Sequence, residues 1–139
     1  MKDTNFIFTT VTTNANKLTA VCNIAKTCFT KKEKLLILVQ DQKAAEFIDE
    51  LLWRIPEESF LPHCISDSEC NEPVVITTFP KNVNQASILL NLSSKTNNLA
   101  DPFQIIYELM DMTSKERHAL SQEKLKIYQE MGYNVRIIC

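Results

Sequence analysis

The chain has 139 residues, enough for one domain spanning residues 1–139 and too few for two ordinary domains. Hydrophobic residues make up 45% and charged residues 23%, a balance typical of a folded globular protein. The net charge of −2 argues against duplex DNA binding as the main task, because a phosphate-binding surface needs an excess of basic groups. No apolar stretch is long enough to span a bilayer, and the first residues lack the apolar region of a signal peptide, so we expect a cytoplasmic protein.

The first half of the chain alternates between strand and helix patterns. Residues 6–12 are rich in aromatic and β-branched side chains and predict a strand, after which Asn14 is the expected cap of an amphipathic helix. Residues 35–39 (LLILV) form a continuous apolar run, which indicates a strand covered on both faces. Asp41 is the expected cap of a second helix, which Pro56 stops. This succession predicts βαβ units in a parallel sheet.

Further strands are predicted in the second half. Residues 65–73 are polar and turn-like, whereas residues 74–79 and 87–92 read as strands, the latter fully buried. Residues 93–102 form a polar connection rich in Ser and Asn. Residues 105–111 (IIYELMD) fit either a strand or a helix, and we predict a strand because Ile and Tyr favour one.

The end of the chain predicts a long helix and a last strand. Thr113 or Ser114 begins the helix, Gly132 ends it, and residues 133–138 form the strand. Gly132 is the only glycine, so the chain has neither of the glycine-rich loops that cradle phosphates. We therefore predict an α/β fold: a single three-layer domain with a mostly parallel, Rossmann-like central sheet flanked by helices, without a nucleotide loop and without a cofactor.

The cysteines define neither a disulfide framework nor a metal site. Their number is odd and no CxxC motif occurs, which predicts free thiols in a reducing compartment. His63 lies next to Cys64, but the spacing of His and Cys matches no common zinc framework, so we predict no metal site. The five cysteines are Cys22, Cys28, Cys64, Cys70 and Cys139.

The run LLWRIPEESFLPHC at residues 51–64 places the only tryptophan in the last turn of a helix and more apolar residues in the loop beyond it. One interpretation is a hydrophobic plug that folds back over the sheet, since most Trp and Phe residues pack inside. The other is an exposed patch, rimmed by acidic residues, that a partner protein covers. We call this set the aromatic patch: Trp53, Pro56, Phe60, Leu61 and Pro62.

The same segment resembles a known family. The runs DELLW at residues 49–53 and PEESFLPH at residues 56–63 look like the signature of the DNA polymerase III chi subunit, a small accessory protein of the bacterial clamp loader. Other features line up in the same order over nearly the whole chain. They are FIF, LLILVQD followed by an AAE helix, PVVIT, ILLNL and YQEMGY. This resemblance favours the exposed patch.

The resemblance implies an adaptor rather than an enzyme. In the family, one surface holds the psi subunit, and through it the clamp loader. Another surface binds the acidic, phenylalanine-ended tail of single-stranded-DNA-binding protein. The aromatic patch is then the surface for psi, or for a helicase that uses the same surface in some members. We expect a monomer or a heterodimer, with no strong direct DNA binding.

The resemblance places the tail-binding surface on the last long helix. An acidic tail should dock on basic groups beside a small apolar pocket. Gln122 stands where the resemblance leads us to expect arginine, so binding of the tail is weak, relies on neighbouring lysines, or is lost. We expect Leu120, Ile127 and Met131, on the opposite stripe, to face the sheet. The alternative interpretation is that the polar stripe of this helix is an ordinary solvent-facing surface that binds no partner. We call the candidate residues the tail face: Lys115, His118, Gln122 and Lys126.

Two other functions compete with the adaptor. A small enzyme of unknown substrate would use His63 with Cys64, or Asp41 with Asp111, but nothing in the sequence supplies a third orienting group and the aspartates are also ordinary helix caps. Direct binding of single-stranded DNA would need a basic groove with aromatic platforms. The aromatic patch is instead flanked by glutamates, which repel phosphates.

Overall fold

A computed structural model describes residues 4–54, 61–95 and 103–138 of the chain. Within these ranges the chain forms seven strands and three helices. They are β1 (Asn5–Val11), α1 (Asn14–Thr30), β2 (Leu35–Leu38), α2 (Gln42–Trp53), β3 (Cys64–Ile65), β4 (Val74–Thr77), β5 (Ile88–Asn91), β6 (Ile105–Asp111), α3 (Lys115–Glu130) and β7 (Asn134–Ile138).

The seven strands form one sheet in the order β3-β4-β2-β5-β6-β1-β7, and all of its pairs are parallel. Helices α1 and α2 pack against one face, here called the α1/α2 face, and α3 packs against the other, the α3 face. This is a three-layer, Rossmann-like α/β fold, so the predicted fold class is confirmed. The helices follow β1, β2 and β6 and form part of the crossovers between parallel strands, because a tight turn cannot join such strands.

The strand β2 shows why the central strands read as unbroken apolar runs. Leu35 and Ile37 point to the α1/α2 face, while Leu36 and Leu38 point to the α3 face, and all four are buried. Strands β4 and β5 are likewise buried at every position. The predictions of strands at these three places are confirmed, although each observed strand is shorter than its sequence pattern suggested.

The strand β6 occupies the segment whose structure was ambiguous in sequence. It spans Ile105–Asp111, as predicted, and alternates between half-buried and buried residues. Its buried side chains are those of Ile106, Glu108 and Met110, on the face that α3 covers. Glu108 is therefore a buried carboxylate between two apolar side chains of the same strand.

The first two helices begin at hydrogen-bonding caps. Thr13 caps α1, its hydroxyl accepting a hydrogen bond from the Asn16 N–H at 3.0 Å, and Asn14 is the first helical residue. The prediction of Asn14 as the cap is wrong by one residue, because the threonine before it has the extended backbone that a cap requires. Asp41 caps α2 as predicted, accepting from the Ala44 N–H at 2.8 Å.

The third helix has both boundaries where the sequence predicted them. Ser114 caps α3 by accepting from the Arg117 N–H at 3.1 Å. Gly132 follows the helix with φ at +90°, a conformation in which a side chain is strained. None of the helices among the described residues combines the length and the apolar composition that a membrane crossing requires.

The buried face of α3 differs from the prediction. Leu120 and Met131 are 46% and 44% exposed, and Ile127 is only half-buried, so the expectation that this stripe faces the sheet is wrong. The helix is turned so that its polar side chains reach Glu108, whose burial requires hydrogen-bonding partners. The buried residues of α3 are Ser121, Lys124 and Tyr128.

The short strand β3 was not predicted. Cys64 pairs with Val75 and Ile65 with Ile76, which adds β3 to one end of the sheet. Because two residues are too few to show the alternating pattern of a strand, residues 65–73 were predicted to be a polar turn.

Candidate functional site

Trp53 ends α2 with its side chain directed away from the core. The buried positions of this helix are Ala45, Ile48 and Leu52. Trp53 follows Leu52 and is rotated by about 100° from it, so it leaves the buried stripe. Its side chain is 56% exposed. Trp53 is therefore exposed, as in the interpretation of the aromatic patch as a surface, and is not buried as a hydrophobic plug would be.

His63 lies against Trp53 and fixes the end of α2 to the segment before β3. The two ring centroids are 4.5 Å apart with a 50° tilt. The Nδ1 atom of His63 lies 2.8 Å from the Leu61 carbonyl oxygen, and Nε2 lies 3.1 Å from the Asp49 carbonyl oxygen. A neutral imidazole donates from one of these nitrogens and a protonated one from both. The buried ring therefore positions the exposed indole.

The other members of the aromatic patch divide into three groups. Leu61 is 2% exposed and packs in the core of the α1/α2 face, so its side chain is not available to a partner. The expectation that Leu61 belongs to the exposed patch is corrected on this point, because its side chain anchors the segment to the sheet. Pro62 is half-buried next to it. Pro56 and Phe60 lie outside the described residues.

The surface around Trp53 carries charges of both signs. Arg54, the residue that caps the end of α2, and Glu50, four residues before it, form an exposed ion pair at 3.0 Å. The Asp49 carboxylate lies 3.3 Å from His63 Nε2. A large apolar side chain within a polar, solvated rim is the usual anatomy of a protein interface.

The tail face on α3 is a solvent-facing stripe. Lys115, Gln122 and Lys126 are exposed, and His118 is half-buried. Among the residues that the structure describes, neither lysine has an acidic group within ion-pairing distance. The stripe can therefore offer two ammonium groups to an acidic ligand, whereas Gln122 can offer only neutral hydrogen bonds.

A pocket at the carboxyl edge of the sheet is the site that sequence reasoning missed. It has a volume of about 570 Å³ and lies where β2, β5 and β6 end. From there the chain runs into α2 on one face and α3 on the other, a switch point at which other α/β proteins bind ligands. Its polar lining includes Lys17, Gln40, Asn91, Ser94, Asp111 and Arg117.

A buried polar network forms one wall of this pocket. One oxygen of Glu108 accepts from Lys124 Nζ at 3.0 Å, and the other accepts from the Tyr128 hydroxyl at 2.6 Å and the Asn91 amide at 2.8 Å. Lys124 also donates to the Ser93 carbonyl oxygen at 2.7 Å. Burial raises the pKa of Glu108, and the charge of Lys124 and the hydrogen bonds oppose this shift. No sequence signal separated these polar residues from ordinary surface positions.

Both aspartates considered for catalysis have structural partners. Asp41 caps α2. Asp111 pairs with Lys17 at 2.6 Å and accepts hydrogen bonds from the backbone and hydroxyl of Thr113. Burial would raise the pKa of Asp111, but the hydrogen bonds from Lys17 and Thr113 outweigh it and lower that pKa below its ordinary value of 3.8. An acid that stays ionised in this way is a poor proton shuttle near neutral pH.

The alternative catalytic pair near β3 is also held in place by its neighbours. His63 directs both ring nitrogens at carbonyl oxygens. Burial first, and then the hydrogen bond to Cys70, raise the pKa of the Cys64 thiol to about 12. A catalytic cysteine that attacks a bound substrate near neutral pH needs the opposite shift. In the part of the chain that the structure describes, no group of three or more His, Cys, Asp or Glu side chains is arranged to hold a metal ion.

The fold and this site define a class: a small parallel α/β protein without a glycine-rich phosphate loop and with an exposed tryptophan at a helix end. The profile of the family described as "DNA polymerase III chi subunit, HolC" matches residues 1–136. The chain belongs to this family and is thus a DNA replication accessory subunit, a component of the DNA polymerase III holoenzyme.

Individual relatives agree with the family match. The DNA polymerase III subunit chi of Escherichia coli K12 is 28% identical, with 97% of this chain and 96% of the relative covered. The subunit of the same name from Pseudomonas aeruginosa is 23% identical, with 84% and 82% covered. That of Haemophilus influenzae is 25% identical, with 82% and 81% covered. The similarity therefore extends over nearly the whole chain.

Proposed function

We propose that this protein is a non-catalytic adaptor of the replicase, working in the cytoplasm, that links the clamp loader through the psi subunit to single-stranded-DNA-binding protein. The observation that carries the proposal is the exposure of Trp53 at a fixed helix end, with His63 packed behind it. Membership of the chi family supports the replisome as its setting. The psi subunit, or a helicase competing for the same surface, is the proposed partner at Trp53.

Trp53 is well suited to anchor a partner protein. A tryptophan offers roughly 150–250 Å² of contact area, and its two rotatable bonds lose little freedom on binding. The contact between Trp53 and His63 already restricts the indole before a partner arrives. Truncation of such an anchor typically costs about 2 kcal/mol or more of binding free energy.

A matched pair of variants on α2 tests this surface. Trp53 is 56% exposed and Phe47 is 53% exposed on the same helix, but the two lie on different sides of it. We expect Trp53→Ala to weaken binding of the psi subunit about 30-fold or more, since about 2 kcal/mol corresponds to that factor. The measurement is isothermal titration with purified psi.

The Phe47→Ala variant is the control and should bind psi as the parent chain does. Circular dichroism and urea unfolding should show both variants folded, because exposed side chains contribute little to the free energy of unfolding. Equal affinity of Trp53→Ala and the parent chain would remove Trp53 from the interface. Equal losses in the two variants would show that the contact is not centred on Trp53.

We further propose that the tail face binds the acidic tail of single-stranded-DNA-binding protein, with Lys115 and Lys126 supplying the charges. Their exposure, and their distance from acidic groups in the described chain, support this assignment. Gln122 between them limits the affinity, because it cannot form a bidentate pair with a carboxylate. Binding should weaken with added salt, as for other exposed ion pairs.

The variant Gln122→Arg tests the tail face by gain of function. We expect it to bind the tail peptide about tenfold more tightly than the parent chain, because a charge-assisted bidentate pair adds roughly 1.4 kcal/mol. Gln42→Arg adds the same charge at an exposed position of α2 and should leave the affinity unchanged. The measurement is fluorescence anisotropy of a labelled peptide at two salt concentrations. Equal gains in both variants would indicate a general charge effect and contradict the assigned site.

The enzymatic alternative gains no support from the geometry. His63 is committed to two carbonyl oxygens, and the pKa of the Cys64 thiol is raised rather than lowered. Turnover of a nucleotide or an ester that is lost in His63→Ala or Cys64→Ala would reverse this conclusion.

A further inference from the structure

Two thiols meet beside the end of the sheet. The Sγ atoms of Cys64 and Cys70 are 3.3 Å apart, and both side chains are half-buried against the α3 face. We propose that Cys64 and Cys70 are a redox modification site, at which a peroxide converts the two thiols into an intramolecular disulfide that a dithiol reductant reverses.

The backbone holds both cysteines in place. Cys64 lies in β3 and is paired with Val75 of β4. The Cys70 N–H donates a hydrogen bond to the Val83 carbonyl oxygen at 2.9 Å. Between them, the Ser66 N–H donates to the Ile76 carbonyl oxygen at 3.0 Å. The proximity of the two sulfur atoms is therefore a property of the fold, and a disulfide requires them to approach from 3.3 Å to about 2.05 Å.

The protonation of the pair sets the order of the reaction. Burial first, and then the hydrogen bond to Cys70, raise the pKa of Cys64, so this thiol stays protonated and reacts slowly with peroxide; either sulfur can be the donor in their contact. We therefore assign the first reaction with the oxidant to Cys70, which is half-buried like Cys64. Cys64 then acts as the resolving thiol, the arrangement found in redox-sensing cysteine pairs.

The chemistry balances with hydrogen peroxide as the oxidant. The Cys70 thiolate attacks one peroxide oxygen, the O–O bond breaks, and the products are a sulfenic acid and hydroxide, which takes the proton released by Cys70 and becomes water. The Cys64 sulfur then attacks the Cys70 sulfur, the S–O bond breaks, and the hydroxyl group leaves as water with the Cys64 proton. In sum, two thiols and one peroxide give one disulfide and two waters.

The other two cysteines within the described residues provide an internal comparison. Cys22 is half-buried and Cys28 is buried, both on α1. Burial raises the pKa of both thiols, to about 11 for Cys28, and slows their reaction with peroxide. The site does not depend on the binding of psi or of the tail, so its test is independent of the proposed function.

The test uses the reduced full chain treated with hydrogen peroxide, followed by thiol counting under denaturing conditions and peptide mass mapping. We expect the count to fall from five thiols to three, with a link between the peptides of Cys64 and Cys70 and recovery of five thiols with dithiothreitol. Cys64→Ser and Cys70→Ser should each abolish this link. Cys22→Ser is the control and should retain it.

Three results would overturn the proposal. The first is oxidation of Cys70 to sulfinic or sulfonic acid without a link to Cys64. The second is a set of links that involve other cysteines or a second chain. The third is an equal rate of Cys64–Cys70 linkage in the urea-unfolded chain, since the folded geometry would then have no part in it.

Discussion

Asp111 joins three parts of the molecule through one carboxylate. It ends β6, accepts hydrogen bonds from Thr113 ahead of α3, and pairs with Lys17 of α1 at 2.6 Å. The side chains of Asp111 and Lys17 are 14% and 20% exposed, so solvent screens this ion pair less than one on the open surface. The lowered pKa of Asp111 expresses this stabilisation of its ionised form.

The stabilisation by Asp111 should depend on pH with a defined sign. Because its folded pKa lies below 3.8, the ionised form stabilises the native state above that pH, and the contribution is lost as pH falls through the folded pKa. We expect Asp111→Asn to lower the free energy of unfolding by about 1–2 kcal/mol at neutral pH and by progressively less in acid. Urea unfolding at several pH values measures this. An exposed control, Glu46→Gln, should change stability little, and a constant difference between Asp111→Asn and the parent chain would contradict the assignment.

Single side chains show how far the sequence could predict the site. The position of Trp53 at a helix end left a buried plug and an exposed patch both open, and the family resemblance favoured the exposed patch; its side chain is exposed. The burial of Leu61 was not foreseeable, because hydropathy does not tell which apolar residues of a loop turn inward. The direction is decided by packing against the core of the α1/α2 face, a contact between distant parts of the chain.

At the scale of elements, the buried network couples β5, β6 and α3. Glu108 of β6 receives hydrogen bonds from Asn91 of β5 and from Lys124 and Tyr128 of α3. These bonds compensate for the loss of hydration of a carboxylate and an ammonium group in the interior. They also set the rotation of α3, since its polar residues occupy the positions that face the sheet.

Removal of one partner should cost more than removal of both. Glu108→Ala leaves the Lys124 ammonium buried without its counter-charge, and we expect it to lower the free energy of unfolding by about 3–5 kcal/mol. The double variant Glu108→Leu with Lys124→Met replaces the ion pair by apolar groups and should lose less. Urea unfolding monitored by circular dichroism compares them. A loss below about 1 kcal/mol in Glu108→Ala would show that the network does not stabilise the fold.

The elements of the fold differ in how well the sequence predicted them. Strands β2, β4 and β5 were evident because burial on both faces leaves an unbroken apolar run. The face of α3 was misassigned because Ser121 and Lys124 are polar, and periodicity assigns polar residues to the solvent side. A buried polar pair formed between elements leaves no mark in a local hydrophobic pattern.

At the scale of the molecule, the two proposed surfaces lie on different layers. Trp53 ends α2 on the α1/α2 face, and the tail face belongs to α3 on the opposite face. The proposed adaptor must bind both partners at the same time. Surfaces on opposite faces of the sheet allow this without contact between the partners. The fold class could be predicted from the succession of strands and helices. The strand order could not, because it depends on which distant strands become neighbours.

We therefore expect the two partners to bind independently. The affinity of the tail peptide for the free protein and for its complex with psi should agree within about twofold, because ligands without shared contacts have little coupling free energy. Isothermal titration of both samples measures this. Displacement of psi by the peptide would contradict the separation of the two surfaces.

The position of β1 in the sheet has a consequence for synthesis of the protein. Its neighbours are β6 and β7, and the side chain of Asn5 is joined to that of Asn134, 129 residues later, by a hydrogen bond of 2.9 Å. During synthesis β1 therefore waits for β6, and then for β7, before it acquires its neighbours in the sheet, while β2, β4 and β5 pair over a shorter stretch. Pairing across such a distance folds slowly, and the FIF segment is exposed to aggregation during translation.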